Sequence, residues 1–360
     1  MTLLSKERSV HRREYHSKFK YQIPIIIVLL VLMILLAVYS LSVNNFKVTF
    51  GEACEVIINR IKGVEPEGYI GRMIDYVVVE VDAPRAIGAI AIGTTLAICG
   101  AVMQSVTHNP LSEPYTIGIS SAAMFGVTIS VAMGISLIPG LDKDTATGVN
   151  AFIFAMVPAM IIVGITSFKK LSPNMMILVG IGMMYLFSSI TTLIKFNASE
   201  EALHEIYIWG LGTLSKVNWT NVVPLVVTAL IMIVSFTFLA SKINILGSGD
   251  RVAQSLGVNP VVLRVICFSL VSIGVAVVVR YTGTIGFVGL VAPHITRLFM
   301  GNNNKLLIPV SAIAGSMLIL VGDIIVRMLP GGLPAGVITA LIGSPMFLYF
   351  LFKNRMKNNF

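Results

Sequence analysis

The stretch AIGAIAIGTTLAICGAVMQSVTHNPLS, residues 86–112, contains no Asp, Glu, Lys or Arg. A water-facing helix of that length would carry charge every few residues on its wet side. A bilayer core instead takes about 20 apolar residues per spanning helix. Residues 22–43, 114–141 and 328–352 are uncharged in the same way. The chain therefore reads as an all-α, polytopic membrane bundle.

Working outward gives ten segments: 22–43, 86–105, 114–134, 151–168, 175–194, 221–240, 261–280, 284–299, 306–326 and 335–352. Composition agrees, with 12% charged residues against about 25% in soluble domains. Gly and Pro number 31 and 15, and both are commoner in membrane helices than in soluble ones. One integral domain, 22–352, is expected between a basic tail at 1–21 and another at 353–360. The first segment reads as a retained helix, since no small-residue cleavage site follows it.

The formal net charge is +9, but its placement argues for topology and against nucleic acid. Lys6, Arg8, Arg12, Arg13, Lys18 and Lys20 precede the first segment; Lys353, Arg355 and Lys357 follow the last. Cytoplasmic loops retain an excess of Lys and Arg. An even number of spans puts both termini inside. Lys169, Lys170, Lys242, Arg251, Arg264, Arg297 and Lys305 then fall to the cytoplasmic loops, and most acids, from Glu52 to Glu205, fall outside. The long 44–85 connection, including its apolar residues 74–81, reads as a cap on the bundle or a surface for a soluble partner. Gly88, Gly93, Gly100, Gly118, Gly126, Gly180 and Gly182 read as close-packing positions between helices.

Chemistry is sparse. His108 and His294 lie near apolar segments, but two His without a carboxylate at helical spacing make a poor metal site. Cys54, Cys99 and Cys267 have no metal or disulfide spacing. No H-E-x-x-H, G-x-S-x-G or G-x-x-x-x-G-K-[ST] occurs, so the chain has no phosphate-binding loop of its own. Only Asp323 and Lys195 lie near segment interiors, too few for an ordinary ion-coupled carrier. That carrier or channel remains the second reading, and an intramembrane enzyme using His108, His294 and Asp323 the third. The polar stretch 241–260 stands out. Its residues Asp250 to Leu256 form a short amphipathic turn between Gly249 and Gly257, with Val252, Leu256 and Ala253 on one face. It reads as a docking knob or an interfacial turn.

Several blocks carry a resemblance. Ala83-Pro84-Arg85, Gly93, Gly100, Gln104 and Asn109-Pro110-Leu111 form one. Trp209-Gly210 with Gly212, and Ala253-x-Ser255-Leu256-Gly257-Val258, are two more. The run from Gly283 through Pro293-His294 to Arg297 is a fourth. Asp323, Arg327, Leu333-Pro334, Gly336, Gly343 and Pro345 make the last. In order and spacing they resemble the iron-siderophore and cobalamin ABC importer permeases of the FecCD type. The resemblance implies ten helices and a second permease copy, in a homodimer or close heterodimer. It implies two cytosolic ATPase subunits that bind ATP and Mg, and an extracytoplasmic binding protein. The permease itself would need no cofactor and would sit in the cell membrane. Cargo would be a ferric siderophore, haem or cobalamin. It further implies ATPase coupling through Gly247, Asp250, Arg251, Val252, Ala253, Ser255, Leu256 and Gly257. Binding-protein docking would use Arg85 and Arg327, although Asp82 stands where many members have a base. The cytoplasmic gate would include Asn109, Leu111, Ser172 and Asn174. His294 would have a structural hydrogen-bonding role.

Overall fold

A computed structural model describes residues 22–357 except 45, 47, 170, 171 and 330–332; side chains are described for all of these but 167, 169 and 350–357. The basic tail at 1–21 and Lys170 lie outside the described residues. Among the described residues the secondary structure is helical. Helix α1 is Gln22–Ser40. On the outer side follow α2 (Phe50–Lys62) and α3 (Gly68–Tyr76), then α4 (Ala83–Thr107), α5 (Ile119–Met133), α6 (Lys143–Lys169) and α7 (Pro173–Phe196). The outer helix α8 (Glu200–Gly210) leads to α9 (Trp219–Leu246), the six-residue α10 (Asp250–Ser255) and α11 (Pro260–Thr282). The chain ends with α12 (Val288–Met300), α13 (Asn304–Met328) and α14 (Ala335–Lys357). Among the described residues seven helical stretches are long and apolar enough to cross a membrane, and α5, α12 and part of α14 are shorter apolar helices. Together they match the ten expected segments one for one.

Helix α4 is the axis of the bundle. Its apolar residues do not form a stripe; they surround it, and from Ala91 to Met103 every side is buried. A helix hydrophobic all round belongs inside. Its glycines explain how close its neighbours come. A Cβ at Gly93 would overlap the Gly315 backbone of α13, and one at Gly100 would overlap the Gly289 backbone of α12. Thr94 and Ser316 share a hydrogen bond of 3.0 Å across the α4–α13 seam. Lipid is met elsewhere: Ile27, Val28, Ile34 and Leu35 of α1 are all more than half exposed.

Local signals set the boundaries. Thr49 and Glu52 form a capping box at the start of α2. Ser172 caps α7, with Pro173 at the first helical position, where a missing N–H costs nothing. His108, at φ 54°, ends α4 in a left-handed turn.

Three expectations need correction. The apolar residues 74–81 belong to the helix that follows the connection: Val77–Asp82 is π-helical and joins α3 to α4 in one 40-residue rod, Gly68–Thr107. The wider π turn frees backbone acceptors, and the Val79 carbonyl accepts the Trp219 indole N–H at 3.0 Å. The expected 114–134 span is broken. Pro114–Ile117 is a 3-10 turn, and Gly118, at φ 88°, lies against the Gly180 carbonyl before α5 begins. Gly182 has nothing near its would-be Cβ and is no packing position. Helix α14 runs on through Lys357, into the basic tail.

The non-helical pieces at membrane depth are covered by protein, as they must be where lipid offers no hydrogen bonds. Ile285 donates its N–H to the Tyr115 hydroxyl at 3.3 Å, Thr284 its hydroxyl to the Gly210 carbonyl at 2.7 Å, and Gly336 its N–H to the Gly212 carbonyl at 3.1 Å.

The glycine geometry makes a paired prediction. Gly100→Ala forces backbone apart and is expected to cost about 1–3 kcal/mol. Gly182→Ala meets open space and is expected to raise stability by up to about 1 kcal/mol. Thermal unfolding of both variants in detergent checks the contrast; equal effects would remove α4–α12 contact as the reason for Gly100.

Candidate functional site

The cytoplasmic site is built on α10. Helix α9 closes at Gly247, whose N–H bonds the Ile243 carbonyl at 3.0 Å. Gly249, at φ 103°, and Gly257, at φ 79°, then flank α10 with open space around both. These conformations suit only glycine. The amphipathic reading needs one adjustment. Ala253 is fully buried, whereas Val252 and Leu256 are 45% and 61% exposed. Ala253 thus seats the helix on α9 while the two larger apolar side chains, with Arg251, face outward. Ser255 turns back, donating its hydroxyl to the Val252 carbonyl at 2.9 Å.

Sequence reasoning puts Arg264 among free loop cations, and the structure overturns this. It lies in the second turn of α11 and is 1% exposed. Its NH1 and NH2 groups donate to the two Asp250 carboxylate oxygens at 2.8 and 2.7 Å, and its Nε–H donates to the Val106 carbonyl at 3.0 Å. The available signal is a lone Arg inside the apolar run VVLRVICF, since a charge there needs a partner. Arg297 is likewise inside α12, donating to Gln104 and Ser105 of α4. Nearby, Asn244 of α9 donates to Asn303 at 2.7 Å and accepts from the Asn304 backbone N–H at 2.8 Å. Polar side chains therefore tie the inner ends of α4, α9, α12 and α13 together.

The residues expected at a cytoplasmic gate share the same membrane face. Asn109 and Leu111 follow α4; the Asn109 side chain accepts the Leu111 N–H at 2.9 Å, and Leu111 is 49% exposed. Ser172 and Asn174 are exposed at the start of α7. No hydrogen bond joins the two pairs among the described residues. Their elements meet further up, where Gly180 of α7 lies against Thr116 and Ile117.

At the outer face, Arg85 and Arg327 are not free cations. Arg85 donates Nε–H and NH2 to Asp323 at 2.9 and 2.7 Å. Arg327 reaches Asp323 at 2.9 Å, Asp82 at 3.0 Å, the Val43 carbonyl at 2.9 Å and the Ser40 hydroxyl. Asn44 donates to the second Asp82 oxygen at 3.1 Å. Asp323 is wholly buried and Asp82 nearly so. Two bases and two acids thus neutralise one another and join the end of α1, the start of α4 and the end of α13. Asp82 supplies the balancing charge, and the π turn ending at Asp82 leads directly into the Arg85 turn.

Beside α8 the outer face also holds a cavity of about 770 Å3, lined among others by Asp144, His204, Glu205, Lys216, Arg280 and Tyr281. The Arg280 guanidinium lies over the Tyr281 ring, 5.1 Å from its centre. Lys143 bridges to Glu205 at 2.6 Å, pinning α6 to α8. These residues come from separate helices and loops, and no motif in the sequence marks them.

The intramembrane-enzyme constellation does not assemble. Asp323 meets Arg85 near the start of α4 and His108 caps its end, about 35 Å away at helical rise. His294 packs edge-on to Phe347 with ring centres 5.8 Å apart. Among the described residues no group of three or more His, Cys, Asp or Glu could hold a metal ion.

Known proteins resemble this chain in sequence and in fold. The FecCD transport family model matches residues 30–353. An ABC transporter permease of Methanocaldococcus jannaschii, so named by inference, is 33% identical over 95% of this chain and 97% of its own. The molybdate import permease of Haemophilus influenzae is 30% identical over 90% of this chain and 94% of its own. A hemin permease of Yersinia pestis is 33% identical over 76% of this chain and 82% of its own. A solved ABC transporter of metal-chelate type, in an inward-facing conformation, superposes with a TM-score of 0.79 at 28% identity, covering 92% of this chain and 99% of that one.

The charge pairs can be tested separately. Asp323→Ala strands the Arg85 guanidinium, leaves Arg327 with Asp82 as its one carboxylate, and is expected to cost about 3–5 kcal/mol, read by thermal unfolding. The Arg264 hydrogen bonds hold the Asp250 carboxyl below its ordinary range, against a smaller opposing effect of burial. A carboxyl depressed in the fold stabilises above the unfolded pKa, about 3.9, and loses that stabilisation as pH falls through the depressed value. Pepsin nicking at Leu256 is therefore expected to stay low at pH 5 and to rise only with acidification below about pH 4. Asp250→Asn should be nicked throughout; a wild-type chain nicked equally at pH 5 would contradict the pairing.

Proposed function

Since this chain belongs to the FecCD transport family of multi-pass membrane permeases, we propose that it is the permease half of a binding-protein-dependent importer for a metal chelate. Two copies line a path between them, a cytosolic ATPase subunit that binds ATP and Mg docks under each, and an extracytoplasmic binding protein docks above. The permease performs no bond chemistry. ATPase closure moves α10, and the inner loops open or close in response.

One observation carries this reading: a six-residue helix, hung on two glycine hinges, holds Val252 and Leu256 exposed beyond the inner ends of α9 and α11. An apolar pair in that position suits a cleft on a soluble partner and has no use facing water. Gly247, Asp250, Arg251, Ala253, Ser255 and Gly257 support it by ending α9, seating α10 or flanking the exposed pair. Asn109, Leu111, Ser172 and Asn174 form the cytoplasmic gate in this scheme. Arg85 and Arg327 act on the outer side by holding a rigid, internally neutral rim against which the binding protein settles. Fully paired charges steer a partner weakly compared with free ones.

The cargo class rests on likeness to a transporter of metal-chelate type and to a hemin permease. The molybdate relative is of similar identity, which fits a family where the binding protein selects and the permease conducts.

Val252→Glu/Leu256→Glu tests the docking site without touching Ala253 or Asp250. The variant is expected to fold with unchanged thermal unfolding and to lose co-purification of its ATPase subunit. Retained co-purification at wild-type yield would count against α10 as the docking element.

A further inference from the structure

We infer that Arg264 is the residue that passes movement of α10 to the cytoplasmic gate. This inference rests on the ATPase-docking reading above. Glycines flank α10 on both sides, and neither has packing around it. The main chain is thus a soft connection. Two stiffer ones remain: Ala253 seated on α9, and the double hydrogen bond from the Arg264 guanidinium to Asp250.

The third Arg264 bond reaches further. Its Nε–H goes to the carbonyl of Val106, within the last turn of α4. Carbonyls there have no intrahelical donor and carry the negative end of the helix dipole. A guanidinium is the side chain that can serve both partners, because its donors form a fixed planar fork. Two residues beyond Val106 the chain turns at His108, and Asn109 and Leu111 follow, locked together by the Asn109 side chain. One buried planar group therefore connects the docking helix to the base of the gate loop. Displacing α10 either drags the end of α4 or breaks the two bonds to Asp250 or the one to Val106. Arg264 touches neither ATP nor cargo; it is a positioning residue.

The test uses Arg264→Lys. Lysine keeps a positive charge for Asp250 but cannot hold Asp250 and Val106 in one plane. An environment-sensitive fluorophore is attached at residue 111, or in a second sample at residue 254, exposed on α10 but outside the docking pair, in a Cys54→Ser background. The permease is reconstituted in lipid with its ATPase subunit, and ATP is added. In the otherwise unsubstituted chain both probes are expected to respond. In Arg264→Lys the ATPase subunit still co-purifies and the probe at 254 still responds. The response at 111, and transport with it, is expected to fall on the order of tenfold. Asp250→Asn, which removes the charged acceptor of both Arg264 bonds to α10, should also lose response at 111.

An undiminished response at 111 in both variants overturns the inference. So does parallel loss of both probes together with the ATPase subunit, since Arg264 would then merely fold α10. A chain whose probe at 254 responds while that at 111 does not, with Arg264 intact, removes the link but leaves the docking reading standing. Silence at 254 with no ATPase co-purifying removes the docking reading itself.

Discussion

Within a bilayer, a polar group without a partner has no water to fall back on, and this constraint governs the whole molecule. It explains why the few charges at span ends come in matched sets. Arg85, Arg327, Asp82 and Asp323 close on one another at the outer face, and Arg264 closes on Asp250 at the inner one. It also explains the covered breaks near residues 113–118 and 283–287, where the Ile285 N–H bonds to Tyr115 and the Thr284 hydroxyl to the Gly210 carbonyl. Close helix contact does the rest. In lipid no hydrophobic force pushes helices together, so small residues that let backbones touch supply dispersion contact. Gly93, Gly100, Gly289 and Gly315 do this along α4.

The architecture is legible in the sequence because the bilayer leaves a coarse signature. Long apolar runs mark all ten segments, seven of them without any Asp, Glu, Lys or Arg, and the basic ends set their direction. Turn chemistry is readable too, since Gly249 and Gly257 bound α10 in the sequence as they do in the fold. What escapes are matters of backbone register and three-dimensional pairing. Residues 74–81 read as a connection because Asp75, Glu80 and Asp82 interrupt them, yet a π turn carries the helix through. The split at Gly118 needs the Gly180 contact, which no local pattern announces.

The sites divide along the same line. Helix α10 is visible because it is local and bounded by its own glycines. Val252 and Leu256 share an exposed face as the pattern reads; Ala253 alone departs from it and turns inward, which only the neighbouring helices decide. Arg264 escapes because its partners are 14 and 158 positions away. Arg85 and Arg327 stand out as cations, but their neutralisation depends on Asp82 and Asp323 arriving from separate elements. Sequence shows which charges exist; only folding shows which are already spent.

The central rod has one more consequence. Helix α4 begins in the outer charge cluster at Arg85 and ends one residue past Val106, where Arg264 grips it. Such a helix is about 35 Å long and nearly inextensible along its hydrogen bonds. A stiff lever of that length cannot shift at one end alone. A tilt of about 5° pivoting near the outer cluster sweeps the inner end sideways by about 3 Å, roughly the width of one side chain. The two faces of the membrane are therefore in mechanical contact through a single element, with no relay of intermediate rearrangements between them.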